Sequence, residues 1–219
     1  MLDRSKRYHA VVATETSNPG IVDDIFGFRR TLFVDVLGWD LPGVRHGRER
    51  DQFDTDDAVH AALFCDGVLV GGFRAMPTDG PYLSKTLFPE LATREPYPET
   101  QDIWEISRFG VLPTAGRFAA KFNYALMFWL ARARGFRALV ALADLTYERF
   151  LLGMGVRTRR YGEPQTIGLD SSVRPLVAVA GEIPLSIQSG ARFEALTGLA
   201  HEMEIIDETL VLGRRRVPA

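Results

Sequence analysis

The sequence predicts an α/β protein, a three-layer α-β-α sandwich around a mixed sheet, on three observations. The first is a hairpin: apolar runs at 60–64 and 68–76 are joined by Asp66-Gly67, a dipeptide suited to a tight two-residue turn. The second is a crossover pattern. An apolar run at 103–111 precedes a helical stripe of Phe118, Phe122, Ala125, Leu126, Trp129 and Ala133, and a second apolar run at 139–143 follows it. The third is length: 219 residues are enough for one domain to bury a core without staples. The expectation is a single domain over 1–219, with a frayed basic tail from about Gly213.

Taken in order, residues 8–15 read as a strand. Asn18-Pro19-Gly20 marks a turn, and Val22, Ile25, Phe26, Arg29, Phe33 and Val36 then keep helical spacing as far as Gly38. Leu41-Pro42-Gly43 opens a polar loop running to about residue 57. Beyond the hairpin, Thr78-Asp79-Gly80-Pro81 turns the chain towards a short Leu- and Phe-bearing segment and a Pro-containing loop at 94–100. Gly135 caps the 118–133 helix, and Gly155 ends another at 145–154. Residues 156–161 and 173–180 read as strands, and 184–201 as a helix.

Composition excludes several classes. A hydrophobic fraction of 46% and a charged fraction of 25% fit a soluble globular chain, not a disordered or fibrous one. A net charge of −2 gives no electrostatic case for nucleic acid. No apolar run approaches the roughly 20 residues of a membrane span, and the charged start is unlike a signal peptide, so a cytoplasmic protein is expected. Cys65, the single cysteine, excludes an internal disulfide; His9, His46, His60 and His201 lack ligand spacing, so no metal is expected. Serine-hydrolase and P-loop signatures are missing.

Three arginines stand where charge is expensive. Arg29 lies in the apolar stripe of its helix, Arg74 in an apolar strand, and Arg108 inside the 103–111 run. Carboxylates are available in the run Glu49-Arg50-Asp51-Gln52-Phe53-Asp54 and at Glu105. Strict alternation puts Glu105 with Ser107 on one face and Arg108 on the other, so only a bulge lets Glu105 and Arg108 reach one site. Two readings remain open: a structural ion-pair network that fixes the loop, or a polar site for a zwitterionic small molecule.

These residues carry a resemblance. Phe28-Arg29-Arg30-Thr31-Leu32-Phe33, then Trp39, then 49–54, Gly72-Phe73-Arg74, the segment 83–91 with Phe88, and Trp104-Glu105-Ile106-Ser107-Arg108-Phe109 resemble, in order and spacing, the signature of the acyl-homoserine-lactone synthases of bacterial quorum sensing. The likeness covers about residues 25–160 and departs at Val36, where the family usually has a basic residue or Gln. It implies a fold similar to the N-acetyltransferases. The stretch Val111–Arg117 holds one glycine, unlike a coenzyme A pyrophosphate loop, which favours acyl carrier protein over acyl-coenzyme A as donor.

The resemblance further implies a reaction. The amine of S-adenosylmethionine attacks an acyl thioester, and the methionine carboxylate then closes the lactone, expelling 5′-methylthioadenosine. Both molecules are substrates; no cofactor is expected. Glu105, Ser107 and Arg108 are the implied catalytic positions, with Glu105 taking the ammonium proton and splayed strand amides holding the oxyanion. Arg29, Phe33, Trp39, Asp51, Asp54, Arg74 and Phe88 are the implied S-adenosylmethionine-binding positions. The acyl chain is expected to run between sheet and helix past Phe109, Phe122, Leu126, Trp129, Ala141 and Ala143. Alanine near 141, in place of the threonine that goes with 3-oxo products, favours an acyl group without a 3-oxo substituent. Arg149, Arg157, Arg159 and Arg160 form the expected docking face for an acidic carrier protein. Two rivals stay open: a coenzyme A-dependent N-acyltransferase of the same fold, and a non-catalytic small-molecule-binding relative.

Overall fold

A computed structural model describes residues 6–169 and 174–209; the expected tail from Gly213 lies outside the described residues. The chain falls into two compact units. Among the described residues, one comprises 6–75, 108–127 and 198–209, the other 76–107, 128–169 and 174–197.

In the first unit, strand β1 (Tyr8–Ala13) leads to helix α1 (Pro19–Arg29). The helix starts where it should: the Asn18 side chain accepts the Ile21 amide at 3.0 Å, and Pro19 occupies the first turn. The sequence predicts one continuous α-helix to Gly38, but Arg30–Val36 is a π-helical turn, with the Leu37 amide donating to the Leu32 carbonyl at 3.0 Å. The wider turn buries both Leu32 and Phe33, packed with Phe28. The expected polar loop contains a small hairpin, β2 (Val44–Arg45) and β3 (Arg48–Glu49). His46 and Gly47 both have positive φ, 49° and 76°, so this is a two-residue turn like the foreseen one at Asp66-Gly67. Strands β4 (Val59–Cys65) and β5 (Val68–Pro77) form the expected antiparallel pair.

Strand β6 (Ile103–Val111) and helix α3 (Arg117–Ala133) match their sequence limits closely, and residues of both belong to each unit. Within the first unit, Phe122, Asn123, Tyr124, Ala125, Leu126 and Met127 are all buried. Each fully buried aromatic or aliphatic side chain is worth about 1.5–3 kcal/mol. Asn123 is the polar exception: its amide donates to the carbonyls of Gly72 and Gly110 at 3.2 and 3.3 Å.

The second unit holds helix α2 (Leu83–Leu87), strand β7 (Ala138–Asp144), helix α4 (Leu145–Gly153), strands β8 (Arg159–Arg160), β9 (Gln165–Leu169) and β10 (Pro175–Pro184), and helix α5 (Ala191–Gly198). Strand β6 pairs parallel with β7 here, whereas β10 pairs antiparallel with β7, β8 and β9. Of the expected strand at 156–161 only β8 forms. The helix expected over 184–201 is corrected: Pro184 ends β10, and only Ala191–Gly198 is α-helical. Gly190 at φ 101° and the Gln188 side chain, which bonds the carbonyls of Arg157 and Pro184 at 2.8 Å, hold the preceding segment out of helix. An unforeseen strand, β11 (Glu204–Asp207), completes the first unit by pairing parallel with β1, while β1 pairs antiparallel with β4. Each unit therefore carries a mixed piece of sheet with helices beside it, as the α/β reading requires. Among the described residues no helix is long and apolar enough to cross a membrane.

Candidate active site

The three arginines flagged by sequence meet in the first unit. Arg29, the last residue of α1, donates from Nε to Glu49 at 2.5 Å and forks onto both oxygens of Asp54 at 2.7 and 2.9 Å. Arg74 on β5 donates to Asp54 at 2.8 Å and to Asp51 at 2.5 Å. Arg108 on β6 donates to Glu49 at 3.0 Å and pairs with Asp51 at 2.8 Å. Followed round, the contacts close a six-membered ring of alternating charge: Arg29, Glu49, Arg108, Asp51, Arg74, Asp54 and back. Its formal charge is zero, which is what a buried network must approach to be tolerated.

Local sequence explains each member. Hairpin β2–β3 presents Glu49, with Arg48 bonded to Asp23 at 2.8 and 2.7 Å. The loop after it is folded by its own side chains: Asp51 accepts the Phe53 amide at 2.9 Å, and Asp54 accepts the Asp51 amide at 2.8 Å. Arg108 sits on β6 with φ 52°, in the left-handed region that is uncommon for a residue with a side chain. An aromatic face lies under each guanidinium: Phe26 under Arg29 at 5.2 Å, Phe53 under Arg74 at 5.7 Å, and Phe33 under Arg108 at 5.9 Å.

Electrostatics separates the ring into interior and edge. Burial alone would lower the Arg29 pKa, but its bonds to Asp54 and Glu49 outweigh that and raise it. Burial works to raise the Asp54 pKa, yet Arg29 and then Arg74 pull it well below the usual carboxylate range. The side chains of Arg29, Glu49, Asp54 and Arg74 are at most 1% exposed, while Arg108 and Asp51 keep 11% and 17%. The ring thus offers solvent one cation and one anion side by side. Beneath it His60, with Nε2 3.8 Å from Asp54, is lowered to about pKa 4, first by burial and then by the arginines, against the pull of Asp54.

Phe33 and Trp39, the expected aromatic wall, stack at 4.9 Å; Phe33 is buried and Trp39 is exposed. The Trp39 amide donates to the Phe33 carbonyl at 2.8 Å, which ties the segment to the π turn. Val36 is exposed, so its departure from the family pattern falls on the surface.

Glu105 belongs to the second unit and is 1% exposed on β6. Its carboxylate accepts the amides of Leu83 and Ser84 at 2.9 and 2.7 Å, together with the Ser84 hydroxyl. Tyr82 and Tyr97 are raised above the ordinary phenol range, by burial first and then by the Glu105 charge. Phe88 ends α2 and packs half-buried against the cluster of Tyr82, Leu91, Tyr97 and Ile103. Ser107 is half-buried.

Among the expected acyl-pocket positions, Phe109 stacks with Phe73 at 5.9 Å and meets Tyr124 in a tilted contact at 4.4 Å, while Phe122 stacks on Tyr8 at 4.0 Å and Leu126 is buried. In the second unit Trp129, Ala141 and Ala143 are half-buried, with Ala141 opposite Gly181 and Ala143 opposite Val179. The four docking arginines divide into two kinds. Arg159, itself exposed, bonds Glu182 at 2.7 Å and Arg160 bonds Glu148 at 2.5 Å, whereas Arg149 and Arg157 are exposed without such a bridge to Glu182 or Glu148.

A family model described as autoinducer synthase matches residues 13–182. The chain belongs to that family. An acyl-homoserine-lactone synthase of Ralstonia nicotianae is 36% identical to this autoinducer synthase over 160 residues, 69% of this chain and 76% of the relative. The crystal structure of TofI, in a ternary complex with an inhibitor and MTA, superposes with TM-score 0.70 at 31% identity, covering 86% of this chain and 99% of TofI. BjaI, described as a coenzyme A-dependent acyl-homoserine lactone synthase and solved with SAM and isopentyl-CoA, shares the fold with TM-score 0.75 at 20% identity, over 90% and 93% of the two chains. A putative N-acetyltransferase from Lactobacillus plantarum shares it with TM-score 0.52 at 17% identity, covering 81% and 99%. The autoinducer synthase is therefore an acyltransferase on an N-acetyltransferase-like fold.

Sequence reasoning counted Glu49 only among the available carboxylates of its loop, although it closes the ring. It weighed His60 only as a metal ligand; its place directly across from Arg74 comes from strand register. Ser84 and Asn123 gave no sequence signal, because their roles are bonds to partners 21 and 51 residues away.

Proposed function

We propose that this autoinducer synthase makes an N-acyl-L-homoserine lactone from S-adenosylmethionine and an acyl thioester, releasing 5′-methylthioadenosine. The observation that carries the reading is the exposed edge of the charge ring. Asp51 and Arg108 present one anion and one cation 2.8 Å apart, a complement to the ammonium and carboxylate of a zwitterionic amino acid. Arg29, Arg74 and Asp54 then act one step back, fixing that edge, and Phe33 with Trp39 offers an aromatic surface for the adenosyl group.

The amine attacks the thioester carbonyl, the thiol leaves, and an amide forms. The freed carboxylate then attacks the γ-carbon of its own methionine chain. The new C–O bond displaces the sulfonium sulfur, which takes the C–S electron pair and leaves as the neutral thioether 5′-methylthioadenosine, so this step asks mainly for a folded substrate conformation. Amide formation first is the sensible order, since an acylated nitrogen can no longer compete with the carboxylate for that carbon.

The donor is an acyl carrier protein in this reading, supported by the single glycine of Val111–Arg117 and by exposed Arg149 and Arg157. BjaI, a coenzyme A-dependent relative in fold, favours acyl-coenzyme A as the alternative. Ala141 and Ala143 carry no hydroxyl to bond a 3-oxo group, which fits an acyl chain without one. Both substrates belong to the cytoplasm, where the enzyme is placed by this reading. Mass spectrometry of extracts from a heterologous host expressing the chain tests the product, and purified enzyme with S-adenosylmethionine and matched carrier or coenzyme A thioesters tests the donor. A lactone together with 5′-methylthioadenosine is expected; an acylated amine without either would overturn lactone synthesis.

A further inference from the structure

We propose that Glu105 is a positioning residue, not the base of acyl transfer, and that Ser84 is its partner: the pair pins the first turn of α2 and thereby sets Phe88. The role rests on the functional reading above, in which Phe88 matches an S-adenosylmethionine-binding position.

The carboxylate is committed. Its Oε1 accepts both the amide and the hydroxyl of Ser84, and Oε2 accepts the Leu83 amide. These are donors that favour the ionised form, so proton uptake by Glu105 means giving up at least one of them. Moving out to meet a proton would therefore release the α2 turn that these bonds hold.

The amine can reach neutrality without this residue: an α-amino group titrates near pH 8, so about a quarter of it is neutral at pH 7.5 and water can take the proton.

What the fold does demand is an anchor. Five residues, Leu83–Leu87, are too few to hold a helical turn alone. Its beginning is fixed by Glu105, and its end by two bonds: the Phe88 amide donates to the Ser84 carbonyl at 3.0 Å, and the Tyr97 hydroxyl donates to the Phe88 carbonyl at 3.0 Å. Ser84 therefore touches Glu105 through its amide and hydroxyl, and Phe88 through its carbonyl. The line from Glu105 to Phe88 passes through one residue.

Full-length Glu105→Gln, Ser84→Ala and the double variant test this. The Michaelis constant for S-adenosylmethionine should rise about tenfold in Glu105→Gln and three- to fivefold in Ser84→Ala, with kcat lowered less than fivefold in both. The double variant should resemble Glu105→Gln, because the two act as one unit. The acidic limb of the kcat/KM profile should stay in place, since it belongs to the substrate ammonium. Amide hydrogen exchange at Leu83 and Ser84 should quicken at least tenfold in Glu105→Gln. A hundredfold or greater fall in kcat for Glu105→Gln, with Ser84→Ala like wild type and the acidic limb gone, would make Glu105 the base and overturn the proposal. Unchanged exchange at Leu83 and Ser84 would overturn it too. Should the wild type make no lactone, the functional reading fails, and the exchange result alone decides whether the anchor exists.

Discussion

In the ring around Arg29, the carboxylates of Glu49, Asp51 and Asp54 are neutralised by guanidiniums; Glu105 is neutralised by two backbone amides and a serine hydroxyl. All but Asp51 of these four acids are essentially buried. The two solutions differ in what one substitution does. Each ring member bonds two others, so deleting a buried one leaves both neighbours with a single partner and the network with one uncompensated charge. The amides around Glu105 are supplied by the backbone and survive any side-chain change. A charge-paired site is thus specific and brittle, while an amide-held carboxylate is tolerant, and that difference suits the first to building a ligand edge and the second to holding a helix turn.

The largest expected effect tests brittleness. Arg29→Met, similar in size and uncharged, should destabilise the fold by about 3–5 kcal/mol, because the buried carboxylates Glu49 and Asp54 are each left with one partner and the ring with one uncompensated negative charge. Glu105→Gln should cost about 1–3 kcal/mol, the usual range for a buried hydrogen-bond group left unsatisfied. Urea unfolding with matched slopes measures both. Equal losses would break the comparison.

Acid reaches the ring through His60. Its folded pKa is about 4 and its unfolded one about 6.5, so the native state resists protonation. Stability from this residue is complete above pH 6.5 and falls by up to about 3 kcal/mol as pH drops towards 4. Asp54, whose pKa is depressed, adds its own loss only below the ordinary carboxylate range. His60→Gln should flatten the melting temperature between pH 6.5 and 4 and leave the steeper fall below it. A wild-type-like slope in this variant would exclude His60 as the acid-sensitive group.

Arg108 sharpens the contrast inside the ring. Non-glycine backbone at φ 52° costs on the order of 1 kcal/mol, so Arg108→Gly returns some stability while removing the cation of the exposed edge. Net stability should shift by less than about 2 kcal/mol, whereas the Michaelis constant for S-adenosylmethionine should rise at least tenfold. Loss of stability as large as that of Arg29→Met would assign Arg108 to the buried frame.

Much of this was legible in sequence, for identifiable reasons. The hairpin at Asp66-Gly67, strand β6, helix α3 and β7 carry long, regular apolar patterns, and Arg29, Arg74 and Arg108 stood out because charge interrupts those patterns. The π turn after Arg29 preserves apolar spacing while changing the hydrogen-bond step, so periodicity could not reveal it. Hairpin β2–β3 has two-residue strands, below the length at which alternation shows. The stop at Gly190 was overridden by the apolar residues on either side of it. Glu105 was placed correctly on its strand but its partners were not, since a bond to backbone amides 21 and 22 residues away leaves no trace in residue identity.

The smallest expected effect concerns the surface arginines of the second unit, where pairing again decides the outcome. Arg149 and Arg157 are exposed; Arg159, exposed as well, and Arg160 are joined to Glu182 and Glu148. Reversing Arg149 and Arg157 to Glu should raise the Michaelis constant for an acyl carrier protein a few-fold and leave that for S-adenosylmethionine unchanged. The wild-type carrier constant should climb with salt, because attraction between exposed charges is screened over about 8–10 Å at moderate ionic strength. Arg160→Glu should instead cost at most about 1 kcal/mol of stability through its pair with Glu148, with little change in carrier affinity. A short acyl-pantetheine donor, which carries no acidic protein surface, supplies the control. If the Arg149/Arg157 reversal weakens carrier and pantetheine donors alike, those arginines act through the fold and the docking reading is lost; if only the carrier is affected, Arg149 and Arg157 meet it and the two paired ones hold the strand beside them.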